Sequence, residues 1–173
     1  MPAWRESLAR SAVLELLARF DPRVAGTLPL GVSLPGSDID ILCHAPEPDE
    51  VADCLWAARE RLPGLVLRRW ISEGRPLVAT FAIDRWPAEV FASAVEVERQ
   101  AGWRHFTVER RLLELAGEPL RQRVLELRRA GAGTEPAFAV ALGLQGDPYA
   151  ALYRLSLAPD AELQGLLIAA GFA

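Results

Sequence analysis

The chain contains no lysine; all 19 of its basic residues are arginine. Any cation that meets a phosphate here must therefore be a guanidinium or a metal ion. The base composition of the gene is a plain reason for such a bias, and the consequence holds either way. Cysteine is nearly absent. Cys43 and Cys54 fall in different predicted elements, without zinc spacing or a disulfide framework. Reduced thiols of this kind fit a cytoplasmic protein. No apolar run approaches membrane-spanning length, and Met1-Pro2-Ala3-Trp4-Arg5-Glu6 lacks a signal-peptide layout. A soluble, cytoplasmic protein with no membrane partner is expected. A dense basic stripe is missing too. The net charge of -4 and pI near 5.3 argue against an extended nucleic-acid surface. What is present is 51% hydrophobic residues in 173, enough for one sizeable core.

Periodicity divides the chain into an α/β first half and a helical second half. Leu8, Ala12, Leu16 and Phe20 make one stripe of a helix over 4–20, ended by Asp21-Pro22. Strands are expected over 23–28 and 37–43, joined by a turn-rich stretch with Pro29, Gly31, Pro35 and Gly36. A helix follows over 47–61, with acids in its first turn and Arg59 and Arg61 in its last, matching the helix dipole. Three more strands, 65–71, 76–83 and 88–91, are joined by turns at Glu73-Gly74 and Asp84-Arg85. Helices are then expected over 97–116, over 119–130 from Pro119 to Gly131, from Thr134 as N-cap, from Asp147-Pro148, and over 160–170. The fold class is α/β (α+β) with a mixed sheet: an α/β core over 1–95, then a helical subdomain over 96–173 packed on it.

The most informative stretch is Gly26-Thr27, a spacer, and then Asp38-Ile39-Asp40-Ile41. Alternation along a strand sends Asp38 and Asp40 to one face, about 7 Å apart, with Ile39, Ile41 and Leu42 supplying the apolar side. Asp is disfavoured in strands, and two like charges this close oppose each other's ionisation unless a cation or donor offsets them. Glycine admits backbone close to a phosphate, and Thr27 adds a hydroxyl donor. Donors for phosphates beside carboxylates for bridging metals are the two halves of a nucleoside triphosphate site. A third carboxylate is Glu89, inside the short apolar strand Ala88-Glu89-Val90-Phe91. The bland alternative for each acid is an exposed strand face.

These residues carry a resemblance. An apolar residue, Gly, a small hydroxyl residue, a spacer of about ten and Asp-apolar-Asp is similar to the polymerase-beta-type nucleotidyltransferase superfamily. More closely, Gly26–Gly31, Gly36–Ile41, Arg104-His105 with Glu109, Thr134–Ala139 and Gly146–Tyr149 resemble a small bacterial family, domain-of-unknown-function family 4269. The superfamily implies metal-dependent transfer of a nucleoside monophosphate from a nucleoside triphosphate to an acceptor hydroxyl. Asp38, Asp40 and Glu89 would then be catalytic and hold Mg²⁺ or Mn²⁺. Gly26, Thr27 and Ser37 would bind the nucleotide's phosphates. The acidic chain suggests an acceptor that is a small hydroxylated molecule or a protein side chain. The other reading is a catalytically inactive protein of the same fold that binds a nucleotide or a protein partner. Two departures stand out. Thr27 replaces the usual Ser or Gly, and the two Pro and two Gly of the spacer argue against the short helix that often follows the Gly pair.

In the helical half, His105 and Glu109 are an i,i+4 pair, so they face one way, and a carboxylate there would favour the imidazolium. With Arg104 they form an auxiliary set that reaches a triphosphate, or else a structural pair and a solvated arginine. Glu135 is expected to stabilise a helix N-terminus. Trp56, Trp70, Trp86 and Trp103 are expected in the core, not as base-stacking platforms.

Overall fold

The computed structural model describes residues 3–71 and 74–172. The expected turn residue Glu73 lies outside the described residues, as does the Met1-Pro2 start. The chain divides into two compact units, Met1–Pro29 with Gly36–Gln100, and Leu30–Pro35 with Ala101–Ala173.

The first unit holds a five-stranded mixed sheet. Its strands are β1 (Arg23–Ala25), β2 (Ile39–His44), β3 (Val66–Arg69), β4 (Leu77–Ile83) and β5 (Trp86–Ser93), in the order β1-β2-β5-β4-β3. The central pair, β2 and β5, runs parallel, and every other neighbour is antiparallel. Burial alternates along β4 and β5, as a sheet with one packed face demands. Ile39, Ile41, Cys43, Ala79, Val90 and Ala92 are fully buried on that face. Each isoleucine there contributes roughly 1.5–3 kcal/mol by its burial. Leu42, expected on the apolar side, belongs to the opposite face with Asp40, two residues away, and Cys43 takes the core place instead. Burial pushes the Cys43 thiol up to about 12, so it serves as a small apolar group.

The expected first helix is broken. Its first part, α1 (Trp4–Ser11), ends at Ala12, whose φ is 53°, and α2 (Val13–Leu16) follows, then a 3-10 turn over Ala18–Phe20. The Ser11 hydroxyl explains the break. It donates to the Leu8 carbonyl at 2.6 Å and accepts from the Val13 amide at 3.3 Å, competing with the helical ladder. The strand expected over 23–28 also stops early, at Ala25. Gly26 turns the chain with φ of 79°, and Thr27–Leu30 form the short helix α3. The spacer's prolines do not prevent this helix, because Pro29 stands in its only turn, where its missing N–H has no ladder to break. Next, α4 (Asp49–Ala57) opens on Asp49 and Glu50, and Arg59 and Arg61 fall in a separate 3-10 turn.

In the second unit, α5 (Ala101–Arg129) carries a break at Gly117, with φ 64° and ψ -145°, two residues before Pro119. The two helices expected on either side of that point are its two arms. Then come α6 (Thr134–Leu142), α7 (Pro148–Leu155) and α8 (Asp160–Ala169). Asp147 caps α7, accepting from the Ala150 amide at 2.7 Å. Thr134 is not a cap: Gly133 holds that position, and no side chain bonds to the α6 amides there. Arg111 ties α5 to the segment before α8, donating to the Ala158 carbonyl at 2.7 Å and to Asp160 at 2.6 Å. Arg121 and Arg128, two turns apart on α5, donate to the carbonyls of Leu30 and Val32. Those bonds give segment 30–35 to the helical unit. Among the described residues, no helix is long and apolar enough to cross a membrane.

Candidate active site

Strand register assembles the acids. Asp40 on β2 stands directly beside Glu89 on β5, and Glu89 beside Thr80 on β4. On the other side, Asp40 pairs with Ala25, the residue before Gly26. Paired residues of neighbouring strands share a face. One row across the sheet therefore reads Thr80, Glu89, Asp40, Ala25. Asp38 lies one residue before β2 begins, at the mouth of the row. All three carboxylates are half-buried, as are Gly26, Thr27 and Ser37.

The charge of Asp38 acts on this row. Burial raises the Glu89 carboxyl above its ordinary value, and the charge of Asp38 raises it further. Glycine is required at position 26 on two counts. Its φ of 79° disfavours any side chain, and an added Cβ would overlap the Asp40 carboxylate Oδ2. The turn after β1 is thus closed down onto Asp40.

Carboxylates close together offer the hard oxygen donors that suit Mg²⁺ or Mn²⁺, and a cation would offset the part of the Glu89 shift that comes, after burial, from the charge of Asp38. As the side chains stand, no three His, Cys, Asp or Glu of the described residues form a metal-holding group.

The expected auxiliary residues lie in the second unit, and their arrangement differs from the expected pair. His105 is not partnered by Glu109. Its Nδ1 stands 3.5 Å from Glu135 Oε1, and its Nε2 3.1 Å from the Tyr149 carbonyl oxygen. That carbonyl only accepts, so Nε2 donates to it. Glu135, expected only as a helix-terminus acid, is the partner. Burial acts to raise its carboxyl, but the hydrogen bonds from His105 and from its own backbone, with the charges of His105 and Arg128, hold it below the ordinary value. Glu109 is buried, 3% exposed, and burial followed by the charge of Glu135 drives its carboxyl well above the carboxylate range. It is an acid whose proton is held more tightly than usual inside the helical unit. Arg104 is half-buried on the same helix. The i,i+4 spacing identified two members of this cluster. Glu135 is thirty positions away, on another helix, and no periodicity joins it to His105.

Trp56 and Trp70 also depart from expectation: they are 56% and 59% exposed, not core residues.

The fold has known relatives. Over 98% of this chain, the polymerase core of TRAMP, an RNA surveillance complex, superposes with a TM-score of 0.53 at 18% identity. A cytoplasmic RNA terminal U-transferase matches 87% of the chain with a TM-score of 0.51 at 13% identity. The GLD-2/RNP-8 complex matches 94% with a TM-score of 0.53 at 13% identity, and the match covers 77% of that chain. Of the first two, the match covers only 58% and 46%, about half their length. At these identities the likeness shows the fold, a nucleotidyltransferase-like mixed sheet with flanking helices and a helical C-terminal part. No curated protein matches the sequence. The family model for the domain of unknown function DUF4269 matches residues 6–155, and the chain belongs to that family.

Proposed function

We propose that the protein is a metal-dependent nucleotidyltransferase, moving a nucleoside monophosphate from a nucleoside triphosphate to an acceptor hydroxyl. The observation that carries this is the register of Asp40 against Glu89, beside Asp38 and under the Gly26 turn. Asp38, Asp40 and Glu89 would hold Mg²⁺ or Mn²⁺. When bound, the metal neutralises the triphosphate and lowers the cost of forming an acceptor alkoxide. Gly26 admits the phosphates close to the backbone, and the Thr27 and Ser37 hydroxyls donate to their oxygens. Glu89, whose carboxyl burial and then the charge of Asp38 raise above its ordinary value, is suited to take the acceptor's proton. The acceptor oxygen bonds to the α-phosphorus, the bond to the β-phosphate oxygen breaks, and pyrophosphate leaves in line.

The test is incubation with triphosphates labelled in the α-phosphate, a metabolite pool, protein and short oligonucleotides, with and without Mg²⁺. Label should move to an acceptor only with metal, and not in Asp40→Asn. Metal-dependent triphosphate binding with no transfer to any acceptor would favour a binding protein of the same fold.

A further inference from the structure

The face that carries the acids continues towards the edge strand β3. Glu89 and Phe91 are two residues apart on β5, so both project from this face, about 7 Å apart along the strand. The Phe91 ring meets the Trp70 indole edge-on, with centroids 6.1 Å apart and planes at 86°. Phe91 pairs with Val78, and Val78 with Arg68. Val66, Arg68 and Trp70 therefore lie on the acids' side of the sheet, and all three are exposed. The alternate residues turn away: Leu67 packs on the core, and Arg69 pairs with Asp49.

This edge is built differently from the other exposed tryptophan. Trp56 already carries the Arg59 guanidinium 5.2 Å from its ring centroid. Trp70 is steadied by its perpendicular contact with Phe91 and is still 59% exposed, and no cation of the described residues lies over its ring. Arg68 makes no hydrogen bond or ion pair with any described residue. An exposed indole beside a guanidinium that no described residue neutralises complements a planar ring carrying an adjacent anion. An apolar partner would leave Arg68 without a counter-charge, and an acidic metabolite would leave the indole bare.

We propose that Trp70 and Arg68 form an acceptor subsite for the 3′ end of a short single-stranded oligonucleotide. One base stacks on Trp70, its phosphate meets Arg68, and the terminal hydroxyl reaches the row of Asp40 and Glu89. Arg68 stands two strands from Glu89 and two residues along, roughly 12 Å by ordinary sheet spacings, so a further nucleotide or two carries the chain from the stacked base to the reacting hydroxyl. One guanidinium instead of a stripe limits the contact to a short segment, which a chain of net charge -4 can accommodate. The subsite rests on the nucleotidyl-transfer reading for its purpose, but its binding is measured separately.

The experiment is fluorescence anisotropy of a labelled single-stranded hexanucleotide, titrated with wild type, Trp70→Ala, Arg68→Ala and Trp56→Ala. Magnesium–triphosphate binding is measured in parallel for each. Trp70→Ala should weaken oligonucleotide binding about tenfold. Arg68→Ala should weaken it and lower the slope of log affinity against log salt by about one. Trp56→Ala should bind as wild type does, and triphosphate binding should be equal in all four. Wild-type oligonucleotide affinity in both Trp70→Ala and Arg68→Ala overturns the subsite. So does an equal loss in Trp56→Ala, or a mononucleotide that competes as well as the hexanucleotide. If wild type binds the hexanucleotide through Trp70 but binds no magnesium–triphosphate, the transfer reading fails, and with it the role as acceptor site.

Discussion

Each unit brings carboxylates close together, and the two do so at different depths. Asp38, Asp40 and Glu89 are half-buried in or beside one row of the sheet, with Glu89 raised by burial and then by the neighbouring charge of Asp38. Glu109 and Glu135 lie among helices, where His105 and Arg128 act on Glu135 and burial raises the Glu109 carboxyl well above its ordinary value. The difference separates two uses of an acid. Acids ranged in one row of a sheet beside the Gly26 turn are suited to chemistry at a bound cation. A set whose charge is settled inside the protein is suited to holding helices together, since a broken buried pair leaves an uncompensated ion.

The largest effect expected from this contrast is on activity alone. Asp40→Asn should lower nucleotidyl transfer by about a thousandfold or more, as loss of several kcal/mol of metal-based stabilisation implies. Its unfolding midpoint in urea should stay near wild type. A similar loss of activity in Glu109→Gln, at unchanged stability, would break the division between the two sets.

Next in size is the helical cluster. His105→Ala strips Glu135 of its hydrogen-bond partner and should cost roughly 1–3 kcal/mol of stability in urea unfolding, as loss of a partner from a part-buried polar group does. Wild-type stability in this variant would show that the His105–Glu135 contact contributes nothing. Gly26→Ala should cost roughly 1–3 kcal/mol through its positive φ, and also lower activity by pushing on Asp40. An Ala variant with full activity would mean that Asp40 does not need the Gly26 turn against it.

The smallest expected effect is on pH dependence. Glu109 has a folded-state value raised above 4.5, so the folded protein holds a proton that the unfolded chain releases. Its contribution is fully present below the unfolded value and is lost as pH rises through the raised folded one. Glu135 has the opposite sign: its contribution is present above 4.5 and is lost as pH falls through its depressed value. Glu109→Gln should therefore flatten the decline of stability above pH 4.5 and leave the acid side unchanged. An unaltered slope above pH 4.5 would mean that Glu109 ionises freely.

Much of this was legible in the chain, and the exceptions share a cause. The five strands, the Gly117–Pro119 break and the Asp147 cap follow from alternation, from breakers and from capping chemistry, all local. The broken first helix was not legible, because it depends on which backbone groups the Ser11 hydroxyl chooses. The short helix after Gly26 was masked by prolines that do no harm in a single turn. Leu42 was misplaced by composition where strict alternation places it correctly, on the side of Asp40. In the site, Asp38 and Asp40 announce themselves as acids in an apolar strand, but their meeting with Glu89 depends on a parallel register between β2 and β5. The partnership of His105 with Glu135 is likewise a contact between helices distant in sequence. Trp70 looked like core because aromatic residues usually are, and only the edge position of β3 leaves it open.

The central claim, that the acid face binds a metal–triphosphate, is tested most directly by calorimetry of a non-hydrolysable nucleoside triphosphate with and without Mg²⁺, on wild type, Asp38→Ala and Asp40→Ala. Wild type should bind the triphosphate distinctly more tightly with metal than without, and both variants should lose that gain while staying folded. Equal affinity in all three proteins, with and without metal, would contradict the account.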